Sequence, residues 1–297
     1  MSPRLFPDEL VYSALARICR GFDPTGATHL LRELTGGEHK LARVRLIFPK
    51  PLMQSVGFQV ERSALSRHTL LPYYCAFLPP QVRERLTKRL ASEPEAIFSV
   101  AKGDYLSEGL PERLRYCRDC VRYDRASLGS TYWHRAHQLP GCDRCLKHGG
   151  MLHASHVRQV IDGRYSMVTA EAALNLESTH KRCHPVMGAE LSERVGRRSA
   201  TVLTSGFKAS LHVSADGYAG KLRSLGFEVN SGVDVQRVSA AFSAFASENR
   251  IRLEQLSQGN WWTTMHLKRR VGWHPPVRHL LFQEFLAWFD RPMQEPC

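Results

Sequence analysis

The sequence of 297 residues predicts a mainly α-helical protein with a small metal-binding module between two helical domains. Two observations support this fold class. Apolar residues recur at helical spacing near both ends of the chain, and cysteine and histidine near its middle have the spacing of metal ligands. We expect an N-terminal helical domain over 1–112, the metal module over 113–155, a linker or irregular region over 156–215 and a C-terminal helical domain over 216–297.

The first helix is predicted close to the N-terminus. Pro7 suits a first helical turn, and Asp8 and Glu9 would place negative charge at the positive end of the helix dipole. Arg17 and Arg20 follow in the last turn. The apolar stripe of this helix consists of Leu10, Val11, Ala14, Leu15 and Ile18.

Three more helices are predicted before the metal module. They cover Ala27–Thr35, Ser63–Leu71 and Pro80–Ala91, and the last two are separated by a segment that contains Pro72 and Pro79. Short helices joined by tight turns favour a helix-turn-helix-like arrangement in the N-terminal domain.

Two pairs of metal-ligating residues lie near the middle of the chain. Cys117-x2-Cys120 and Cys145-x2-His148 are separated by 24 residues, the pattern of a tetrahedral Zn²⁺ site in which a loop brings two tight turns together. Cys142-x2-Cys145 is an alternative second pair, so the spacing alone leaves the fourth ligand open. Either set fills the coordination shell with protein ligands, which predicts a structural rather than a catalytic zinc.

The remaining cysteines and histidines give weaker signals. A redox Cys-x2-Cys motif would need a βαβ context that the sequence does not indicate. A second metal site at His180, Cys183 and His184 lacks a matching distant pair, so we interpret these residues as surface positions.

The chain is strongly basic. It contains 41 Lys and Arg against 28 Asp and Glu, a formal charge of +13, with a pI near 9.6. Such a balance predicts a polyanionic partner, here double-stranded DNA. Cations lie in the metal module and near the C-terminus, where they alternate with tryptophans. The candidate DNA contacts are Arg115, Arg118, Arg122, Arg135, Lys268, Arg269, Arg270 and Arg278.

The C-terminal region again shows helical periodicity. Tyr218, Leu222 and Leu225 form one apolar face, and Leu280–Phe289 forms a closing apolar helix. Between them, an apolar stripe predicts a further helix after a short loop. That stripe consists of Val235, Val238, Phe242 and Phe245.

Several motifs are absent from the sequence. It contains no phosphate-binding P-loop, no G-x-S-x-G and no H-E-x-x-H, and its carboxylates do not cluster as a two-metal nuclease requires. We therefore expect a protein that is not an enzyme. No run of apolar residues predicts a membrane span, and the N-terminus does not have the pattern of a signal peptide. Eight cysteines, several of them bound to metal, favour a reducing bacterial cytoplasm.

The metal module contains three distinctive segments, LRYCRDC over 114–120, YWHRAHQLPG over 132–141 and CLKHG over 145–149. With these segments, and with the N-terminal segments at 7–13 and 68–72, the chain resembles the TniQ/TnsD family of transposition target-selection proteins. A weaker similarity to the TnsD-type extension covers 218–226 and 276–282. The family pattern implies a zinc finger with three cysteines and one histidine. Its ligands would be Cys117, Cys120, Cys145 and His148, with Cys142 outside the shell.

The resemblance also implies a role. Family members recognise target DNA, or a guide-RNA effector complex bound to DNA, and recruit a AAA+ ATPase that brings the transposase. The nucleotide site would therefore lie on the ATPase, and the contact would involve the N-terminal helical region, with Arg17 and Arg20 as candidates. A homodimer is compatible with this role. The alternative hypothesis is a sequence-specific DNA-binding protein that acts alone as a transcription regulator. A zinc-dependent nuclease or hydrolase is disfavoured by the closed shell.

Overall fold

The protein is mainly helical, as the sequence predicts. The computed structural model describes residues 5–20, 66–89, 110–159, 167–175, 181–208, 211–256, 259–266 and 274–290. The predicted helix over 27–35 and the cations Lys268, Arg269 and Arg270 lie outside these ranges. Among the described residues, no helix combines the length and the apolar character that crossing a bilayer requires.

The helices and strands follow one another as a helical segment, a small sheet and a second helical segment. The helices are α1 Val11–Cys19, α2 Leu71–Cys75, α3 Pro80–Arg89, α4 Arg118–Leu128, α5 Ala170–Asn175, α6 Ala189–Thr204, α7 Ala215–Ser224, α8 Val235–Glu248, α9 Leu253–Leu256 and α10 Pro276–Phe289. The strands are β1 Arg113–Tyr116, β2 His153–Arg158, β3 Lys181–Arg182, β4 Glu228–Val229 and β5 Gly232–Val233.

Helix α1 begins later than the sequence predicts. Asp8 has a φ of 59°, in the left-handed region, so the helix cannot extend back through it to Pro7. The segment instead pairs with the chain around Trp133: Leu10 N donates to Trp133 O at 2.9 Å, and Arg135 N donates to Asp8 O at 2.8 Å. The Asp8 carboxylate instead accepts from Arg135 and Ala136, and the Glu9 carboxylate pairs with Arg17, so neither caps α1.

A three-stranded antiparallel sheet carries the metal module. Its order is β1-β2-β3, with Tyr116 opposite His153 and His153 opposite Arg182. Helix α1 and helix α5 bury their apolar residues together with Leu114, Tyr116 and Trp133 in the smaller of two large hydrophobic cores. The buried stripe of α1 consists of Leu10, Val11, Ala14 and Leu15.

The larger core joins α2 to the helices of the C-terminal half of the chain. Helix α2 packs with α6, α7, α8 and α10, and its side chains Tyr73 and Tyr74 are fully buried. The sequence predicts that a helix ends at Leu71 and that a segment with Pro72 and Pro79 follows it. Helix α2 instead begins at Leu71, because Pro72 is tolerated in a first helical turn. The domain boundaries remain a prediction, although residues from both predicted helical domains share this core.

The region predicted to be a linker contains helix α6, which is 16 residues long. Its arginines and Gly196 interrupt the apolar pattern, which is why the sequence interpretation missed the helix. Gly196 has a packing role: the sulfur of Cys142 and the Cδ2 of Leu146 both lie 3.3 Å from the position that a β-carbon would occupy. The loop predicted between α7 and α8 is also more regular, since β4 and β5 form a hairpin whose turn residues Asn230 and Ser231 have positive φ.

A buried arginine connects these parts. Arg135 is 5% exposed, and its Nε donates to Asp8 Oδ1 at 3.0 Å. Its second guanidinium nitrogen donates to Ser66 O at 2.6 Å and to Thr69 O at 3.2 Å. Burial lowers the pKa of Arg135, and the nearby Asp8 opposes that shift. The guanidinium thus holds α1, the chain before α2 and the metal module together.

We expect Arg135→Leu to destabilise the protein by about 3 kcal/mol, because Asp8 and two carbonyl groups would lose their donors inside the fold. The measurement is urea unfolding of both variants followed by tryptophan fluorescence. Lys88→Leu is the control: Lys88 pairs with Glu84 on α3 but is 73% exposed, so its loss should change the free energy of unfolding by less than about 0.5 kcal/mol. Equal effects of the two substitutions would contradict the role assigned to Arg135.

Candidate metal centre and basic groove

Four predicted ligands converge at one point. The ligand atoms of Cys117, Cys120, Cys145 and His148 all lie within 4.8 Å of one another. The Nδ1 of His148 is 3.6 Å from Cys117 Sγ, 3.4 Å from Cys120 Sγ and 3.7 Å from Cys145 Sγ. Three sulfurs and one imidazole nitrogen arranged in this way can hold a metal ion.

Local structure places each ligand. Cys117 follows β1 and is the N-cap residue of α4, so Cys120 lies in the first turn of that helix. Cys145 and His148 belong to a tight turn in which Gly149 N donates to Cys145 O at 2.7 Å. Gly149 has a φ of 71°, a conformation that glycine adopts without strain.

Cys142 lies outside the ligand cluster. Its sulfur donates to Arg144 O at 3.3 Å and packs in the larger hydrophobic core against Gly196. Burial raises the pKa of the Cys142 thiol, which disfavours the thiolate that a metal needs. The geometry therefore groups His148, and not Cys142, with the other three ligands.

The three ligand sulfurs influence one another. The pKa of Cys117 is lowered, first by its contact with Cys120 and then by its contact with Cys145. The contact with Cys117 in turn raises the pKa of Cys120 and of Cys145. Deprotonation of Cys117 is thus favoured, and deprotonation of Cys120 and Cys145 beside it is disfavoured. A bound cation would offset the repulsion between the thiolates.

His137 contacts the cluster, and the sequence interpretation gave it no role. Its Nε2 lies 3.6 Å from Cys120 Sγ, and burial lowers the pKa of His137 well below its ordinary value. The sequence signal for this residue is its place in the segment YWHRAHQLPG, which carries the family resemblance.

No second cluster of three or more metal ligands occurs within the described ranges. Cys183 packs against the ligand cluster without joining it, and His184 is exposed. His180 lies outside the described residues.

A basic groove of about 700 Å³ adjoins the ligands. Tyr116 and His153 lie at its base with their ring centroids 5.5 Å apart. Asp119 is the acidic residue among its lining and pairs with Arg122. The arginines that line the groove are Arg118, Arg122, Arg125 and Arg182.

The predicted DNA contacts fall into different environments. Arg118 and Arg122 are exposed in the groove. Arg115 is 5% exposed and donates to Leu139 O at 2.8 Å, so it faces the interior as Arg135 does. Because both side chains are buried, neither can reach a DNA phosphate. Arg115 and Arg135 are therefore not DNA contacts. Arg278 is partly buried, with its guanidinium 5.6 Å from the ring centroid of Trp261.

Two arginines of the groove were missed by the sequence interpretation. Arg182 is exposed on β3, within the region predicted to be a linker. Arg125 lies on α4 and pairs with Glu171 at 2.9 Å. The sheet register that brings β3 beside β2 could not be read from the sequence.

The predicted partner contacts on α1 also differ from each other. Arg17 pairs with the buried carboxylate of Glu9 at 2.7 Å, so it has a structural role. Arg20 is exposed at the end of α1.

Ligand substitutions test the cluster. We expect His148→Ala and Cys145→Ser to reduce the metal content from one equivalent per chain towards zero, while Cys142→Ala retains it. Structural sites of this type contribute about 10–16 kcal/mol of apparent binding energy, so ligand loss should also lower the soluble yield. The metal content is measured by mass spectrometry of the purified proteins. Loss of metal only in Cys142→Ala would overturn the ligand assignment.

Comparisons with known proteins agree with this geometry. Over 156 residues the chain is 26% identical to the transposition protein TnsD of transposon Tn7 from Escherichia coli. The match covers 50% of this chain and 30% of that protein. The model of the TniQ family matches residues 1–152, which include all four ligands and most of the groove. Because this match covers just over half of the 297 residues, the chain belongs to the TniQ family.

Proposed function

We propose that the chain is a target-selection adaptor in transposition, without enzymatic activity of its own. The basic groove beside the four-ligand cluster carries this proposal, because it offers a phosphate-binding surface within the region that the TniQ family model matches. The similarity to a transposition protein supports the pathway.

The metal in this proposal is a structural Zn²⁺. Bonds of about 2.3 Å to sulfur and about 2.0 Å to nitrogen at tetrahedral angles separate ligand atoms by about 3.5–3.8 Å. The His148 Nδ1 lies 3.4–3.7 Å from the three sulfurs and the Cys120 and Cys145 sulfurs are 3.7 Å apart, which fits this shell; all four ligand atoms lie within 4.8 Å of one another. Bound zinc would fix the first turn of α4 to the turn at 145–148. The site leaves no position for a reacting water.

The proposed ligand of the groove is the phosphate backbone of double-stranded DNA, free or held in a guide-RNA effector complex. Arg118 and Arg122 lie one helical turn apart on α4, and Arg182 approaches from β3, so cations flank the groove on two sides. Backbone contacts of this kind supply affinity and position and carry little sequence information.

The affinity for DNA should depend on salt. If about four phosphates are neutralised, log Kd should change with log salt with a slope of magnitude about 3.6, and each lost contact should reduce that slope by about 0.9. The measurement is fluorescence anisotropy of a duplex oligonucleotide between low and high salt. Combined alanine substitution of Arg118, Arg122 and Arg182 should flatten the slope.

A charge-matched control distinguishes the effect of losing groove contacts from the effect of lowering the net charge by three. The triple alanine variant of Arg85, Lys208 and Arg252 removes three exposed cations that do not line the groove, so it should retain the salt dependence. Equal flattening in both variants, or an affinity that does not respond to salt, would refute a groove contact.

The proposed protein partner is a AAA+ ATPase, because the chain has no phosphate-binding loop and its pathway is ATP-regulated in this proposal. Arg20 is the contact that we propose on α1. Arg17 would be a poor probe, since its removal leaves the buried Glu9 without its partner. DNA binding without any ATPase partner would instead favour a transcription regulator.

Charge reversal tests the ATPase contact. We expect Arg20→Glu to weaken association with the proposed AAA+ ATPase partner by roughly fivefold, the upper range for one exposed charge pair. Co-purification with and without ATP measures this, and Arg85→Glu on α3 is the matched control. Metal content and DNA affinity should stay unchanged. Unaided ATP hydrolysis by the purified chain, or no association in any nucleotide state, would refute the adaptor function.

A further inference from the structure

His137 lies beside the proposed metal centre, in surroundings that determine which of its ring nitrogens carries the hydrogen. The side chain is buried, its Nε2 is 3.6 Å from Cys120 Sγ, and its Nδ1 has no hydrogen-bond partner among the described residues. It does not belong to the four-ligand group, whose atoms lie within 4.8 Å of one another. His137 therefore contacts one of the ligands, Cys120, without being a ligand itself.

The surroundings select one tautomer of this ring. A neutral imidazole carries a single N–H, and a buried N–H without an acceptor costs more than a buried lone pair without a donor. Of the two ring nitrogens, Nε2 alone faces an acceptor among the described residues, and this acceptor is the Cys120 sulfur. The hydrogen therefore lies on Nε2 and points at the ligand.

The ring is held in place on two sides. His134 packs against it with 4.8 Å between the ring centroids, and His134 Nε2 lies 2.9 Å from the buried carboxylate of Asp124. The backbone of the short 3-10 helix Ala136–Gln138 is fixed by Asp8, whose Oδ2 accepts from Ala136 N at 3.0 Å. These contacts fix the orientation of the His137 ring.

We propose that His137 is a positioning residue that donates an N–H···S hydrogen bond to the Cys120 thiolate of the metal-bound protein. The inference rests on the metal centre proposed above. Three thiolates and one neutral imidazole around a divalent cation leave a net charge of −1, and the hydrogen bond offsets part of it. Donors of this kind orient a ligand and strengthen metal binding by about 10–100-fold.

Cys120 is the ligand at which such a bond has the widest structural effect. It lies in the first turn of α4, between Arg118 and Arg122 of the basic groove. The residues before His137 in the chain hold Asp8. The hydrogen bond therefore connects the N-terminal segment to the helix that presents the groove.

Cobalt replaces zinc as the probe, because thiolate-to-Co²⁺ absorption bands report on the sulfur directly. His137→Phe fills the site but removes the donor, whereas His137→Gln places an amide N–H near the position of Nε2. We expect His137→Phe to bind Co²⁺ 10–100-fold more weakly in competition with a chelator and to shift the absorption bands. His137→Gln should stay within about threefold of wild type with unshifted bands.

The control is His212→Phe, which alters a partly buried histidine outside the metal module that contacts Phe77 O and is not a ligand; its Co²⁺ affinity should match wild type. If His137→Phe is insoluble, His137→Asn replaces it, because its shorter amide cannot reach Cys120. Unchanged affinity and spectra in the donor-free variant, or equal losses in the Gln and Phe variants, would overturn the proposal. Absence of Co²⁺ binding by wild type would instead refute the metal centre itself.

Discussion

A buried guanidinium must keep its donors bonded, and the architecture depends on how Arg135 meets this requirement. Its partners are Asp8 and the carbonyl groups of Ser66 and Thr69, from segments far apart in the sequence. Leaving such a charge unpaired would cost several kcal/mol, so the three segments are fixed together. The left-handed backbone at Asp8 and the late start of α1 follow from the same contact.

Helix α4 contributes residues both to the ligand cluster and to the basic groove. The first turn of α4 supplies Cys120 to the ligand cluster and Arg118 to the groove, so metal binding in the proposed centre would fix the position of this cation. Strand β3 completes the groove because the sheet pairs it with β2 beside Tyr116 and His153. The chemistry of this region is that of a rigid, positively charged surface. Its affinity for a polyanion would come from preorganised cations and not from a reacting group.

The sequence predicts those features that depend on local spacing. The C-terminal helices and the two ligand pairs are of this kind. Both the 3.6-residue periodicity of a helix and the spacing of ligands in a tight turn involve residues only a few positions apart. Helix α6 was missed because Gly196 serves packing against Cys142 and breaks the stripe. The burial of Arg115 and Arg135 could not be predicted either. Residue type gives a charge, whereas the carbonyl groups that satisfy these two arginines come from other segments.

The larger core also has a consequence for the order of assembly on the ribosome. The ligands Cys117 and His148 are 31 residues apart, so their loop closes at low entropic cost once the module has emerged. Tyr73 and Tyr74 of α2, by contrast, are covered in a core that requires Leu281 and Phe285. The metal module can therefore fold during translation, while the apolar face of α2 stays uncovered until α10 has been synthesised. For that interval the nascent chain presents a chaperone-binding surface that the finished protein lacks.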